Sequence, residues 1–149
     1  MIDTVLVPVD DSEPAMAALE FTLEQFPGAH LIVYHAINPI VVASEADTEL
    51  SRRDFWPAQI EQAEAEAEEL LDRARQRAED HTAAVELDSE VGPAAENVVR
   101  YVDEHDVDHV VIGSHGRTGL SRIALGSVAE TVIRRVSVPV TVIHDDESV

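Results

Sequence analysis

The chain contains no cysteine and no lysine, and no apolar run in its 149 residues approaches the length needed to cross a bilayer. The first absence excludes disulfides, thiolate catalysis and sulfur-based zinc sites. The second leaves arginine as the only strong base, ten residues against 30 acidic ones, for a formal net charge of −20. It also removes the P-loop pattern Gly-x4-Gly-Lys-Ser/Thr. A phosphoacceptor receiver domain needs a lysine after its fifth strand, so that class is excluded too, although Asp10-Asp11 superficially reproduce its paired acids. The dinucleotide fingerprint Gly-x-Gly-x-x-Gly is likewise missing. The N-terminus has neither a basic region nor a cleavage site, so a cytoplasmic protein is expected.

A charge so far from zero destabilises a compact state through self-repulsion in dilute buffer. At about 1 M salt the Debye length shrinks to roughly 3 Å and most of that repulsion is screened. The composition resembles that of halophilic proteins from salt-accumulating microbes, in which acidic surfaces and loss of lysine go together. Nucleic acid and anionic membranes are poor partners for such a surface. With 45% apolar residues the chain can bury an ordinary core, and one domain spanning 1–149 is expected.

Strand and helix patterns alternate along the sequence. Thr4 to Val9 is a short β-branched run that reads as a buried strand. Asp10-Asp11-Ser12-Glu13-Pro14 supplies cap residues and a first-turn proline, ahead of Met16, Leu19, Leu23 and Phe26 at helical spacing. Pro27-Gly28 stops that helix, and Leu31 to Ile37 forms a second strand. Asn38 to Phe55 has no clear period and is expected to be a connecting loop, with its end open to being helical. From Trp56 to about His81 a stripe of Ile60, Ala63, Ala67, Leu70, Leu71 and Ala74 marks a long, mostly solvated helix whose acidic run is an exposed face. Val85, Leu87, Ser89 and Val91 alternate as a half-buried strand, and Gly92-Pro93 opens a helix through Val98, Val99 and Val102. Val107 to Ile112, Ser127 to Val136 and Val138 to Ile143 complete the pattern as strand, helix and strand. Five strands interleaved with helices imply a doubly wound α/β fold, a five-stranded parallel sheet with helices on both faces.

The densest chemical signal lies after the fourth strand, where Gly113-Ser114-His115-Gly116 is followed, after nine intervening residues, by Gly126-Ser127. Gly113 and Gly116 fall where a buried strand ends and the backbone must turn. Gly126-Ser127 opens a helix whose first N–H groups face back toward that strand end, an arrangement suited to an anionic, phosphorylated ligand. Asp10, after the first strand, would lie beside this loop if the first and fourth strands are neighbours.

Val7-Pro8-Val9-Asp10-Asp11-Ser12, Gly113-Ser114-His115-Gly116-Arg117, Gly126-Ser127-Val128 and Val138-Pro139-Val140 together resemble the universal stress protein family, in order and at the expected spacing over essentially the whole chain. The Gly-x2-Gly-x9-Gly-Ser element resembles that of the family's ATP-binding branch. The resemblance implies a strand order of 3-2-1-4-5 and a homodimer, for which the uncharged edge Val138 to Ile143 is the expected interface. It implies ATP, ADP or AMP as ligand, alone or with Mg, in a stress-response regulator. Asp10 would meet the ribose hydroxyls, with Pro8 and Val9 against the nucleoside and the backbone of Ala36 at the adenine. Ile112 and Gly113 would flank base and ribose, while His115, Gly116, Arg117, Gly126, Ser127 and Val128 would surround the phosphates.

Plainer readings stand beside these. Asp10 or Asp11 is expected to cap the first helix, and Gly113 and Gly116 could serve only a tight turn. His105 and His109, near Asp103, Asp106 and Asp108, mimic a metal cluster but straddle a helix end and a strand start, and they read as surface histidines. No Ser-His-Asp set or placed general base is visible, so no dedicated catalysis is expected. A nucleotide-free dimeric scaffold of the same fold and a slow ATPase acting through a bound metal remain the alternatives.

Overall fold

In the computed structural model, residues 3–38, 52–81, 84–114 and 125–144 are described, with the backbone alone for 52–59. The elements run β1 (Thr4–Pro8), α1 (Glu13–Gln25), β2 (His30–Ile37), α2 (Arg52–Ala78), β3 (Ala84–Val91), α3 (Ala94–Glu104), β4 (His109–Gly113), α4 (Ser127–Arg135) and β5 (Val140–Ile143). All pairings are parallel and the sheet order is β3-β2-β1-β4-β5. The order expected from the resemblance is the one observed. The long helix starts at Arg52, four residues before the apolar stripe suggested, and the expected loop is described only at its two ends.

Side chains alternate across each strand, so every buried strand feeds two cores. Val5, Val7, Val9, Leu31, Val33 and Val111 face α1 and α2, packing on Ala18, Leu19, Leu23, Leu70, Leu71 and Ala74. Leu6, Ile32, Tyr34, Val110 and Ile112 face α3 and α4, packing on Val98, Tyr101, Val102, Ala129 and Val132. Each fully buried Val or Leu contributes about 1.5–3 kcal/mol relative to exposure, which is why these short strands hold without alternating polar residues. The edge strand β3 behaves differently. Its Val85 and Leu87 pack inward, while Asp88 and Glu90 accept hydrogen bonds from the hydroxyls of Tyr101 (2.7 Å) and Tyr34 (2.8 Å). Burial, reinforced by these carboxylates, holds both phenols well above their usual range.

The acidic and histidine residues that mimic a metal cluster have separate structural positions at the opposite end of the sheet from the strand carboxyl termini. Asp108 Oδ2 accepts from the N–H groups of Asp3 and Thr4, anchoring the start of β1. Asp106 takes a left-handed φ of 50° just past α3, and His105 stacks on Tyr101 at 3.7 Å between ring centroids. His109 is no surface residue. It is 8% exposed, lies against Phe26 with ring centroids 5.4 Å apart, and its Nε2 is 2.7 Å from Thr141 Oγ1. The reading of it as exposed failed because β4 begins at His109, whose side chain therefore points with Val111 into the α1 face. Among the described residues no group of three or more His, Asp or Glu is placed to hold a metal ion.

Burial lowers the His109 pKa from its ordinary 6.5, and its Nδ1 has no partner among the described residues. The unfolded chain takes up this proton near pH 6.5, the folded chain only below it. The neutral ring therefore costs no stability above pH 6.5, and stability falls as the pH drops through 6.5 toward the lowered value. Urea titrations between pH 7.5 and 5.5 should show this fall in the wild type and a shallower one in His109→Leu. Identical pH slopes in the two proteins would contradict the assignment.

Candidate functional site

β1 and β4 are neighbours, pairing through Val5 with His109 and Leu6 with Val110. The chain leaves β1 into α1 on one face and leaves β4 toward α4 on the other, so the two strand ends diverge and open a crevice between them. Every described residue expected at the site lies on this rim. Pro8, Val9 and Asp10 end or follow β1, Ala36 is next to last in β2, and Ile112 and Gly113 end β4. Gly126, Ser127 and Val128 begin α4. His115, Gly116 and Arg117 lie outside the described residues.

Val9 and Ile112 are buried in opposite cores, and Ala36 and Val128 pack half-buried against the second, so the side chains of these four serve the cores. Ser114 closes the structure beneath. Its N–H donates to the carbonyl of Ile143 at 2.8 Å and its own carbonyl accepts from the Gly126 N–H at 2.6 Å. One residue thus ties the end of β4 to the end of β5 and to the start of α4. Sequence reasoning passed over Ser114 because its contribution is entirely main-chain.

Gly126 is the N-cap of α4 and offers no side-chain oxygen to the first turn. The N–H groups of Ser127, Val128 and Ala129 belong to those that a helix cannot satisfy internally, and they carry the positive end of its dipole. Gly126 has φ −66° and ψ 155°, torsions open to any residue. Backbone conformation therefore does not require glycine here.

The expectation that Asp10 or Asp11 caps α1 is not met. Ser12 is the N-cap, its Oγ accepting from the Ala15 N–H at 3.3 Å, while Asp10 Oδ1 accepts from the Ser12 N–H at 2.9 Å. With Pro14 in the first helical turn, only the Ser12 hydroxyl is one turn from that N–H. Asp10 is thereby held half-buried at the mouth of the crevice rather than spent on the helix. Gly113 has a reason of its own. A Cβ there would stand 2.8 Å from the Pro14 carbonyl carbon and 2.9 Å from the Ala15 nitrogen, so the glycine lets the start of α1 rest on the end of β4.

These features define a doubly wound α/β protein with a crevice at the reversal of strand order. The chain belongs to the universal stress protein family, whose sequence profile matches residues 1–144. The universal stress protein MJ0577 of Methanocaldococcus jannaschii is 28% identical, the match covering 99% of this chain and 98% of that one. The solved MJ0577 structure superposes with a TM-score of 0.85 at 29% identity, covering 99% of both chains. The universal stress protein UspA of Lactobacillus plantarum superposes at 0.79 with 25% identity over 96% of this chain and 98% of its own. A universal stress protein of Archaeoglobus fulgidus solved in complex with dAMP superposes at 0.64 with 25% identity, covering 96% of this chain and 98% of that one.

Gly113→Ala should force backbone of β4 and α1 apart and destabilise the fold by about 1–3 kcal/mol. Gly28→Ala, where an added Cβ meets nothing within 4 Å, should change stability by less than about 0.5 kcal/mol. Denaturant titrations of both variants check this, and equal stabilities would show that the α1 contact is not tight.

Proposed function

We propose that the chain is an adenine-nucleotide-binding regulatory protein of the stress response, with residues 1–149 acting as one nucleotide-binding unit in the cytoplasm. ATP, ADP or AMP is its ligand, alone or with Mg. The observation that carries this reading is the convergence of Asp10, the end of β4 and the uncapped start of α4 on one crevice. The carboxylate of Asp10 suits a pair of ribose hydroxyls, and the backbone at Ala36 and Ile112 suits the flat base. The first turn of α4, with Ser127 and the stretch of residues 115–117 that includes Arg117, suits the phosphates. The dAMP complex of the A. fulgidus relative supports an adenine nucleotide as the class of ligand. The lysine-free composition and charge of −20 support a halophilic setting, so binding is to be measured at molar KCl.

By calorimetry under those conditions the wild type should bind ATP. Asp10→Ala should weaken binding by roughly 1.5–3 kcal/mol, and Gly126→Val should abolish it while the far-ultraviolet spectrum stays native. Unchanged affinity in both folded variants would overturn the site.

The homodimer is proposed from β5. It is an edge strand whose four residues are all only half-buried, and no charge interrupts Val140, Thr141, Val142 and Ile143. Natural edges are blunted by charge or covered, and the same strand of a second chain about a two-fold axis is the simplest cover. Sedimentation should give a dimer for the wild type and a monomer for Val142→Arg. A monomeric wild type at micromolar concentration in high salt would refute the interface.

A further inference from the structure

The hydrogen bonding of β1 to β2 ends in an unusual way at the crevice. Even-numbered residues of β2 direct their main-chain groups toward β1: the His30 N–H donates to the Asp3 carbonyl, and the Tyr34 carbonyl accepts from the Val9 N–H at 2.7 Å. In a parallel ladder the next rung would run from the Ala36 N–H to the Val9 carbonyl. Regular pairing stops at Pro8 and Tyr34, however, and the Val9 carbonyl is engaged by the ring of His35, whose Nδ1 lies 2.8 Å from it. A carbonyl oxygen can only accept, so Nδ1 must carry the proton. His35 reaches across from the residue directly opposite Val9.

We propose that His35 is a positioning residue for the nucleotide site: as its Nδ1–H tautomer it occupies the Val9 carbonyl, holds the turn into Asp10, and leaves the Ala36 N–H directed into the crevice as a donor for a ring nitrogen of the base. This deepens the nucleotide reading and rests on it for the ligand, but not for the hydrogen bond. The physical logic is a substitution of partners. Were the rung to form, the strands would stay zipped for one more residue and the Ala36 donor would be spent within the sheet. A side-chain donor satisfies the buried carbonyl at no cost to the main-chain donor. Asn can present an amide N–H from nearly the same place as Nδ1, whereas Leu presents none.

The test uses the full chain in molar KCl as wild type, His35→Asn and His35→Leu. Long-range proton–nitrogen correlation spectra of the nucleotide-free wild type should show His35 protonated at Nδ1 with Nε2 bare near pH 8. The Ala36 amide should exchange with solvent at least about tenfold faster than that of Tyr34, and His35→Leu should slow it as the rung forms. ATP affinity should fall about tenfold or more in His35→Leu and stay within about threefold in His35→Asn. An Nε2–H tautomer, an Ala36 amide as protected as Tyr34, or equal ATP affinity in Leu and Asn variants would each overturn the proposal. If the wild type binds no ATP, the proposed function falls. The tautomer and the exchange rates still decide whether His35 replaces the rung.

Discussion

The reversal of winding between β1 and β4 is the constraint on which the rest of the molecule depends. Two parallel neighbours whose chains depart to opposite faces cannot share a covering helix at their carboxyl ends, so the sheet is left uncapped there. Everything around that gap is adapted to hold it open without loss of order. Gly113 lets the first turn of α1 approach the end of β4 to within a distance that any side chain would forbid. Ser114 then fastens the same strand end to β5 and α4 through two backbone bonds. Remove either, and the crevice would be set by loops rather than by the sheet.

The two cores are unequal partners in this. The α1/α2 face is mainly aliphatic, sealed by Leu19, Leu23, Leu70 and Leu71, and includes the buried polar side chains of Thr22 and His109. The α3/α4 face carries Tyr34 and Tyr101, 4.8 Å apart, with hydroxyls satisfied by Glu90 and Asp88 at the β3 edge. Arg100 bridges from α3 to Glu90 at 3.1 Å. A strongly acidic edge strand thus serves two purposes at once. Its carboxylates discourage pairing with another chain, and they accept the hydrogen bonds that two buried phenols require. The other edge, β5, lacks such charge, and this asymmetry is what makes the two sides of the sheet chemically distinct.

How much of this the sequence announced follows from which interactions leave a periodic trace. Strand runs such as Thr4 to Val9 and the stripe through Ala67, Leu70, Leu71 and Ala74 are repeated signals, and their elements stand close to where the pattern put them. Gly113 and Gly126 stand where their spacing put them, at the end of β4 and just before α4, while Gly116 lies outside the described residues. Single side-chain choices left no such trace. Ser12 rather than its acidic neighbours caps α1 because the register of Pro14 selects it. His109 is buried because β4 starts with it and both faces of that strand are covered. His35 sits in an ordinary strand pattern and gains its significance only from the carbonyl it meets.

Cores filled by alternating strand side chains also explain how relatives with little sequence in common keep the same fold. MJ0577 differs from this chain at more than two-thirds of aligned positions, yet superposes with a TM-score of 0.85. Side chains at Val9, Ala36, Ile112 and Val128 pack into the two cores, where volume-conserving apolar replacements cost little. The positions with less freedom are those where the chain itself must come close or be held: Gly113 against α1, and Asp10 with its carboxylate steered by the Ser12 N–H. Selection for a highly acidic surface can then replace most of the exterior, lysines included, without touching the geometry at the strand ends. The extreme charge and the conventional fold coexist because they are written on different atoms, one on exposed side chains and the other on the two buried cores.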